Sequence, residues 1–185
     1  MPEAAAIRPL VKADLRMLLE WRNHPSIREV MLTSQEIGKA EHSAWFDRVS
    51  HDSSRRLLVV ETGAGPFGFV QFSHVAPGGV SDWGFYTRPD APKGSGQLLG
   101  LTALDHAFFE LQLHKVCGQV IARNDASNRF HRRVGFRKEG YLREQHRSDG
   151  HYESLVCFGL LETEWPQARA DIVSSLTWSN QGDQP

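Results

Sequence analysis

The stretch that decides the fold runs from Val80 to Phe136 and reads VSDWGFYTRPDAPKGSGQLLGLTALDHAFFELQLHKVCGQVIARNDASNRFHRRVGF. Its apolar opening, Val80–Tyr86, predicts a buried strand, and a glycine-containing loop separates that strand from a long helical pattern. In this loop Gly94 and Gly96 stand at the mouth of the helix, where backbone N–H groups can close on an anion. The helix N-terminus adds partial positive charge, so the loop predicts a phosphate site.

The second half of the stretch predicts another strand followed by a short helix. The strand-like run is Lys115–Ala122. Asn124 or Ser127 can cap the helix that comes next, and Gly135 ends it.

Strand, anion loop, helix, strand and capped short helix, in this order, resemble the acetyl-CoA half of the GNAT N-acetyltransferases. In that family an N-x-x-S segment precedes a short helix that closes with G-F. The matching residues here are Asn124, Ser127, Gly135 and Phe136. The resemblance covers about residues 5 to 165.

The patterns before and after this stretch predict further strands and helices, and together they indicate one α+β (mixed α/β) domain. Strands are predicted at 5–10, 57–61, 67–75, 140–145 and 151–161, and helices after Asp14, after Pro25 and around His42. The resemblance implies the GNAT fold, a mostly antiparallel twisted sheet with helices on both faces. Its splayed parallel pair comprises the strands at Val80 and Lys115. Residues 1–165 form the predicted domain, and residues 166–185 are a flexible tail because apolar periodicity ends there.

Composition excludes several classes of function. A net charge of -1 provides no basic field for nucleic acid. No apolar run approaches the ~20 residues that span a bilayer, and the N-terminus lacks a signal pattern. Cys117 and Cys157 lie in strand-like runs as small buried hydrophobes, and no metal-binding spacing is present. We expect a cytoplasmic monomer or homodimer without metal.

The resemblance implies acetyl-CoA as the cofactor. The family loop is Q/R-x-x-G-x-G/A, and Ala91 stands where Gln or Arg is usual, so Lys93 is expected to compensate. The residues expected at the cofactor are Phe85, Tyr86, Thr87, Lys93, Gly94, Ser95, Gly96, Gln97, Asn124, Ser127 and His131.

Proton transfer is the least defined part of the predicted site. GNAT enzymes often have a tyrosine acid where this chain has His131, which is either that acid or a surface histidine near the CoA phosphates. Tyr141 and Tyr152 are substitutes. Asp82 is the base if it faces the cleft and a solvated charge if it faces outward; solvent is the remaining route.

The acceptor half of the family is its N-terminal helix pair. Here the W-R-N of Trp21–Asn23 and the H-x-x-W of His42 and Trp45 are similar to the PseH-type enzymes of pseudaminic acid synthesis, and also to ribosomal-protein N-terminal acetyltransferases. A UDP-linked acceptor needs cations for its pyrophosphate and a flat face for uracil. The aromatic residues are equally consistent with a core. The predicted substrate residues are Trp21, Arg22, Asn23, His24, Arg28, His42 and Trp45.

Three functions follow from the sequence. The first is acetylation of the 4-amino group of UDP-4-amino-4,6-dideoxy-N-acetyl-β-L-altrosamine by direct amine attack. The second is N-terminal acetylation of ribosomal or other proteins. The third is a non-catalytic acyl-CoA-binding module, which would bind acetyl-CoA without amine-dependent CoA release.

Overall fold

One mixed sheet of seven strands forms the centre of the molecule in the computed structural model, which describes residues 5–148 and 150–179. The strands are β1 (Ala6–Pro9), β2 (Arg56–Thr62), β3 (Gly65–Ser73), β4 (Val80–Thr87), β5 (Lys115–Ile121), β6 (Arg137–Ser148) and β7 (His151–Leu161). Their order across the sheet is β1-β2-β3-β4-β5-β7-β6. Every neighbouring pair is antiparallel except β4 and β5, which are parallel. The predicted sheet is therefore confirmed.

Helices connect these strands. They are α1 (Leu15–Asn23), α2 (Pro25–Arg28), α3 (Lys39–Val49), α4 (Ser95–Asp105), α5 (Asp125–Arg133) and α6 (Trp165–Ser179). A π-helical turn, His106–Glu110, extends α4. Among the residues described, no helix is both long enough and apolar enough to cross a bilayer.

The sheet buries both of its faces near the centre because apolar residues occupy successive positions of β2 and β3. Leu58 and Val60 face a core that includes residues of α4 and α6. Val59 and Phe69 face the opposite way and pack with residues of α1 and α3. Burying one such side chain contributes ~1.5–3 kcal/mol.

The parallel pair is short, and this shapes the site. β4 and β5 are in register only from Val80–Lys115 to Asp82–Cys117. Beyond Asp82 the two strands separate, so the sheet opens into a wedge at the end where α4 and α5 begin.

The C-terminal segment differs from its prediction. Residues 166–179 belong to α6 instead of a flexible tail, and Trp165 and Ile172 are almost fully buried in the core beneath α4. Residues 180–185, the end of the predicted tail, lie outside the described residues.

Two helices have local contacts that the sequence patterns do not show. In α4 the buried positions are Leu99, Gly100, Ala103 and Leu104. Asp14 precedes α1 but makes no side-chain capping bond to it; instead it pairs with Arg8 at 2.7 Å and accepts the N–H of Val11 at 3.0 Å.

Candidate active site

A cavity of about 840 Å³ lies at the N-terminus of α4. All five residues of the predicted phosphate loop, Lys93–Gln97, line it. Gly94 is the N-cap of α4 with a φ of 93°, a left-handed conformation that glycine adopts without steric cost. The first N–H groups of the helix are therefore available to an anion at this end of the sheet.

Four cations border the same cavity. Arg88 and Lys93 come from the loop after β4, and Arg129 and Arg133 come from α5. The two α5 arginines are four residues apart, which puts them on one face of the helix. Three of these residues, Arg88, Arg129 and Arg133, were missed from the sequence, although the i, i+4 spacing in α5 is visible there. The helix N-terminus and these cations together fit the phosphates of coenzyme A.

The start of α5 is fixed by its own polar side chains. Asn124 caps the helix, its Oδ1 accepting the N–H of Ser127 at 3.0 Å. Asn128 is buried and donates to the backbone carbonyl oxygens of Ile121, Ala122 and Asn124. The sequence left Asn124 and Ser127 as alternatives for the N-cap, and in the structure the cap is Asn124. Neither residue lines the phosphate cavity.

His131, predicted as an acid or a surface histidine, lies in the core with 3% of its surface exposed. Its Nδ1–H donates to the carbonyl of Ser127 at 2.8 Å, which leaves Nε2 to accept the indole N–H of Trp83 at 3.2 Å. Burial lowers the pKa of His131 to about 4. The single N–H of the neutral ring is bonded to the Ser127 carbonyl and Nε2 accepts from Trp83, so the structure disfavours a role as acid. Burial in the core excludes the surface alternative.

Gly118 explains how this imidazole fits. A Cβ atom at Gly118 would lie 2.7 Å from Nε2 of His131 and 2.9 Å from Nε1 of Trp83. The ring of His131 also stacks on Phe158, with centroids 4.9 Å apart. These contacts make His131 part of the packing that holds α5 against the sheet.

The other three residues predicted for proton transfer are exposed to solvent. Asp82 is at the paired end of β4, exposed, with one carboxylate oxygen 3.2 Å from Nδ1 of His74. Tyr141 is half exposed on the edge strand β6, under the ammonium of Lys138. Tyr152 is 60% exposed. Of the two alternatives predicted for Asp82, the structure therefore shows the second, a solvated charge that faces outward.

On the face of β4 opposite Trp83 and Phe85, four side chains come together: Arg22, His42, Trp45 and Tyr86. We call them the acceptor cluster because the sequence predicts the acceptor on this side. His42 stacks on Trp45 with centroids 5.1 Å apart, and Trp45 and Tyr86 both contact Phe69. Burial lowers the pKa of His42, and the nearby charge of Arg22 lowers it further. Burial raises the pKa of Tyr86, which keeps its phenol protonated.

Arg22 is the buried cation of this cluster. It is 8% exposed, and burial lowers the pKa of its guanidinium. Nη2 donates to the carbonyl of Thr33 at 2.5 Å, whereas the buried Nη1 has no hydrogen-bond partner among the described residues.

The remaining predicted substrate residues have mixed positions. Trp21 packs on the apolar core behind α1. Asn23 is a structural residue that bonds both backbone groups of Ile37. His24 is exposed and contacts Ser26, whereas Arg28 is near Arg22 and lies 3.8 Å from Glu36.

Comparison with known proteins is consistent with this arrangement. A family model described as an acetyltransferase (GNAT) domain matches residues 5–137. Spermidine N(1)-acetyltransferase of Escherichia coli (strain K12) is 28% identical over 162 residues, covering 84% of this chain and 86% of that protein. Acetyltransferase PseH of Campylobacter jejuni (strain 81-176) is 27% identical over 111 residues, covering 60% and 69%.

A solved structure has the same fold. It is spermidine N-acetyltransferase from Vibrio cholerae in complex with CoA and spermine, with a TM-score of 0.81 and 23% sequence identity. The match covers 88% of this chain and 98% of that one.

Proposed function

This chain belongs to the GNAT family of acetyl-CoA-dependent N-acetyltransferases, and from that premise we propose that its acceptor is an amine that also bears an anionic group. The specific acceptor that we propose is UDP-4-amino-4,6-dideoxy-N-acetyl-β-L-altrosamine, acetylated on its 4-amino group. PseH relatives at 27% identity and spermidine acetyltransferases at 28% are about equally similar in sequence, so the choice rests on the site.

The observation behind the proposal is the unpartnered Nη1 of Arg22. A buried cation without an anion or full hydrogen bonding is costly, by several kcal/mol in a protein interior. The pyrophosphate of a nucleotide sugar supplies the oxygens that a guanidinium binds best. Trp45, which is partly exposed and stacked on the buried His42, offers an aromatic surface beside it for the base.

A polyamine requires the opposite environment. Spermidine is a polycation and needs carboxylates around its amines. In the described part of the chain the buried carboxylate is Glu153, and its Oε1 is 2.6 Å from Nε of Arg123. Glu36 has 72% of its side chain exposed. The charge buried in the acceptor cluster is that of Arg22, which repels a polyamine.

In this proposal the protein contributes binding and orientation. Acetyl-CoA supplies the thioester that the neutral amine attacks; the new N–C bond forms and the C–S bond breaks. The nitrogen loses one proton to solvent and the departing sulfur takes one up, so CoA leaves as the thiol. The N-terminus of α4, with Lys93, Arg129 and Arg133, holds the phosphates, and the acceptor cluster holds the amine near the wedge. His131, neutral and buried, keeps α5 in place.

The direct test is CoA release with three kinds of acceptor: the UDP-amino sugar, spermidine and a panel of ribosomal N-terminal peptides. We expect turnover with the sugar and at least ~100-fold lower kcat/KM with the others, equivalent to ~3 kcal/mol of discrimination. Preferential turnover of spermidine would overturn the anionic-acceptor proposal. Turnover of peptides alone would establish the N-terminal acetyltransferase, and acetyl-CoA binding without any amine-dependent release would support the non-catalytic alternative.

Replacement of Arg22 tests the observation on which the proposal depends. Arg22→Gln removes the cation but keeps a donor for the Thr33 carbonyl, so KM for the nucleotide sugar should rise by ~10-fold or more with KM for acetyl-CoA unchanged. Arg16→Gln is the matched control, because Arg16 is on the same helix with 90% of its side chain exposed. Equal acceptor KM values for the two variants would contradict a role for Arg22 in acceptor binding.

A further inference from the structure

The segment that joins α2 to α3, residues 29–38, crosses the acceptor side of the molecule; we call it the strap. Two side chains of α1 hold it. Arg22 donates to the carbonyl of Thr33 at 2.5 Å, and Asn23 bonds the N–H and the carbonyl of Ile37 at 2.9 and 2.8 Å. The strap is therefore tied to the N-terminal half of the fold beside the acceptor cluster.

Two further bonds tie the strap to the other half of the sheet. Nη2 of Arg123, two residues beyond β5, donates to the carbonyl of Glu29 at 3.2 Å. Nε2 of His146, on β6, is 2.6 Å from the carbonyl of Leu32 and is therefore the protonated nitrogen of that ring. Both bonds are made by side-chain donors to strap carbonyl oxygens.

These bonds cross the wedge where the sheet has no hydrogen bonds of its own. β4 and β5 separate beyond Asp82 and Cys117, so no strand ladder joins the two halves at that end. Each bond contributes only ~1 kcal/mol, which is weak enough to break and reform during turnover.

Glu153 fixes the position of Arg123. Its Oε1 is 2.6 Å from Nε of Arg123, and the carboxylate is buried, whereas the arginine side chain is about half exposed. Oε1 also lies 3.1 Å from Nε2 of His151. With Nε held by the carboxylate, the rigid guanidinium has its Nη2 directed at the Glu29 carbonyl. Glu153 is paired directly across the ladder from His146, so the three side chains form one compact group.

We propose that Arg123, Glu153 and His146 are a latch that positions the strap for acceptor binding. They act through a short chain of contacts: the latch holds the strap, the Thr33 carbonyl of the strap holds Nη2 of Arg22, and Nη1 of Arg22 is left for the acceptor. The last link rests on the proposed function. The latch residues are positioning residues, and none of them lines the phosphate cavity.

Kinetics separate this role from general stability. His146→Ala removes the donor to Leu32, and Arg123→Lys keeps the ion pair with Glu153 but loses the fork that reaches Glu29. Each should raise the acceptor KM by about 5-fold, the value of one hydrogen bond, with KM for acetyl-CoA within 2-fold of the wild type. His146→Gln restores a side-chain donor and should recover most of the loss. Arg147→Ala is the control, because Arg147 is the next residue of β6 and is exposed.

A measurement without acceptor tests the latch by itself. Hydrogen exchange of residues 29–38 in acetyl-CoA-bound enzyme should be at least 3-fold faster in His146→Ala than in the wild type, and close to wild type in His146→Gln. Unchanged exchange in the strap, or an equal rise of both KM values, would overturn the latch. The acceptor is tested separately. If the wild type acetylates spermidine or peptides but not the nucleotide sugar, while exchange of the strap is still faster in His146→Ala, the latch is supported and the proposed acceptor is rejected.

Discussion

His131 and Trp83 meet in the core through one hydrogen bond, in which the indole N–H donates to Nε2 of the imidazole at 3.2 Å. Protonation of His131 would put a second donor at that nitrogen and break the bond. Burial also penalises the charged ring, and the pKa is lowered to about 4. The residue thus stabilises the fold only while it is neutral.

This gives a pH dependence with a defined sign. The folded pKa of His131 is below the unfolded value of ~6.5, so its stabilising contribution is complete above pH ~6.5 and is lost as the pH falls toward 4. Between pH 7.5 and pH 5 the loss should be about 2 kcal/mol in the free energy of unfolding. Urea unfolding of His131→Gln should show a correspondingly smaller pH dependence than the wild type.

His24→Gln serves as the control for that comparison because His24 is exposed. Its urea midpoint should fall with pH as the wild type does. An unchanged pH dependence in His131→Gln would mean that His131 titrates normally in the folded state, and would reopen a role for it as an acid.

Single residues also show where prediction from sequence stops. The family pattern locates position 131, but the partner that determines its protonation, Trp83, is 48 residues away. Gly118 leaves the space for both rings, and its importance has no local signal. Arg22 is different: its place in the W-R-N motif suggested a substrate contact, and the structure adds the buried Nη1 on which the proposal depends.

At the level of elements, α6 is the main difference between prediction and structure. Polar residues conceal its apolar face, yet Trp165, Ala168, Ile172 and Leu176 recur at intervals of three, four and four residues and all contact the core. That spacing is helical. Pro166 is compatible with it because a proline in the first turn of a helix costs no hydrogen bond. The signal was present, but the segment's composition is typical of a tail.

Adjacent positions of α6 provide a test. Ile172 is 1% exposed and Val173 is 37% exposed. Ile172→Ala leaves a cavity in the core and should lower the free energy of unfolding by ~2–4 kcal/mol, whereas Val173→Ala should change it by less than ~0.5 kcal/mol. Urea denaturation measures both. Equal small effects would mean that α6 is detached from the core in solution.

Helix α5 packs on the core with one face and lines the phosphate cavity with another. Its inner face presents Phe130, His131 and Val134 to the sheet and α4, while Arg129 and Arg133 line the phosphate cavity. The sequence predicted the cap and the end of this helix because those depend on local residues. The contribution of its arginines to the cavity depends on the tertiary packing of α5 beside α4, which local patterns do not report.

Over the whole molecule, a net charge of -1 conceals two separate positive regions. One is the phosphate cavity with Arg88, Lys93, Arg129 and Arg133, and the other is the acceptor cluster around Arg22. The absence of a basic excess argued against nucleic acid from the sequence, but only the fold shows that cations are concentrated at two places. The first region fits the phosphates of CoA, and the second is the region to which the proposed function assigns an anionic acceptor.

The two regions should be separable by mutation. Arg133→Gln removes a cation from the phosphate cavity and should raise KM for acetyl-CoA by ~3–10-fold without changing the acceptor KM. The effect should shrink at high salt because the side chain is exposed. Arg132→Gln, one position along and outside the cavity, is the matched control. The same KM for acetyl-CoA in both variants would exclude Arg133 from phosphate binding.

The strand order of the sheet has a consequence for the way the protein is made. β7 lies between β5 and β6, so β5 gains its second neighbour only when residues 151–161 have been synthesised. Until then β5 is joined to β4 by three residue pairs and presents an open edge on the growing chain. The half of the sheet that contains β5 is thus completed only after residues 151–161 have emerged from the ribosome.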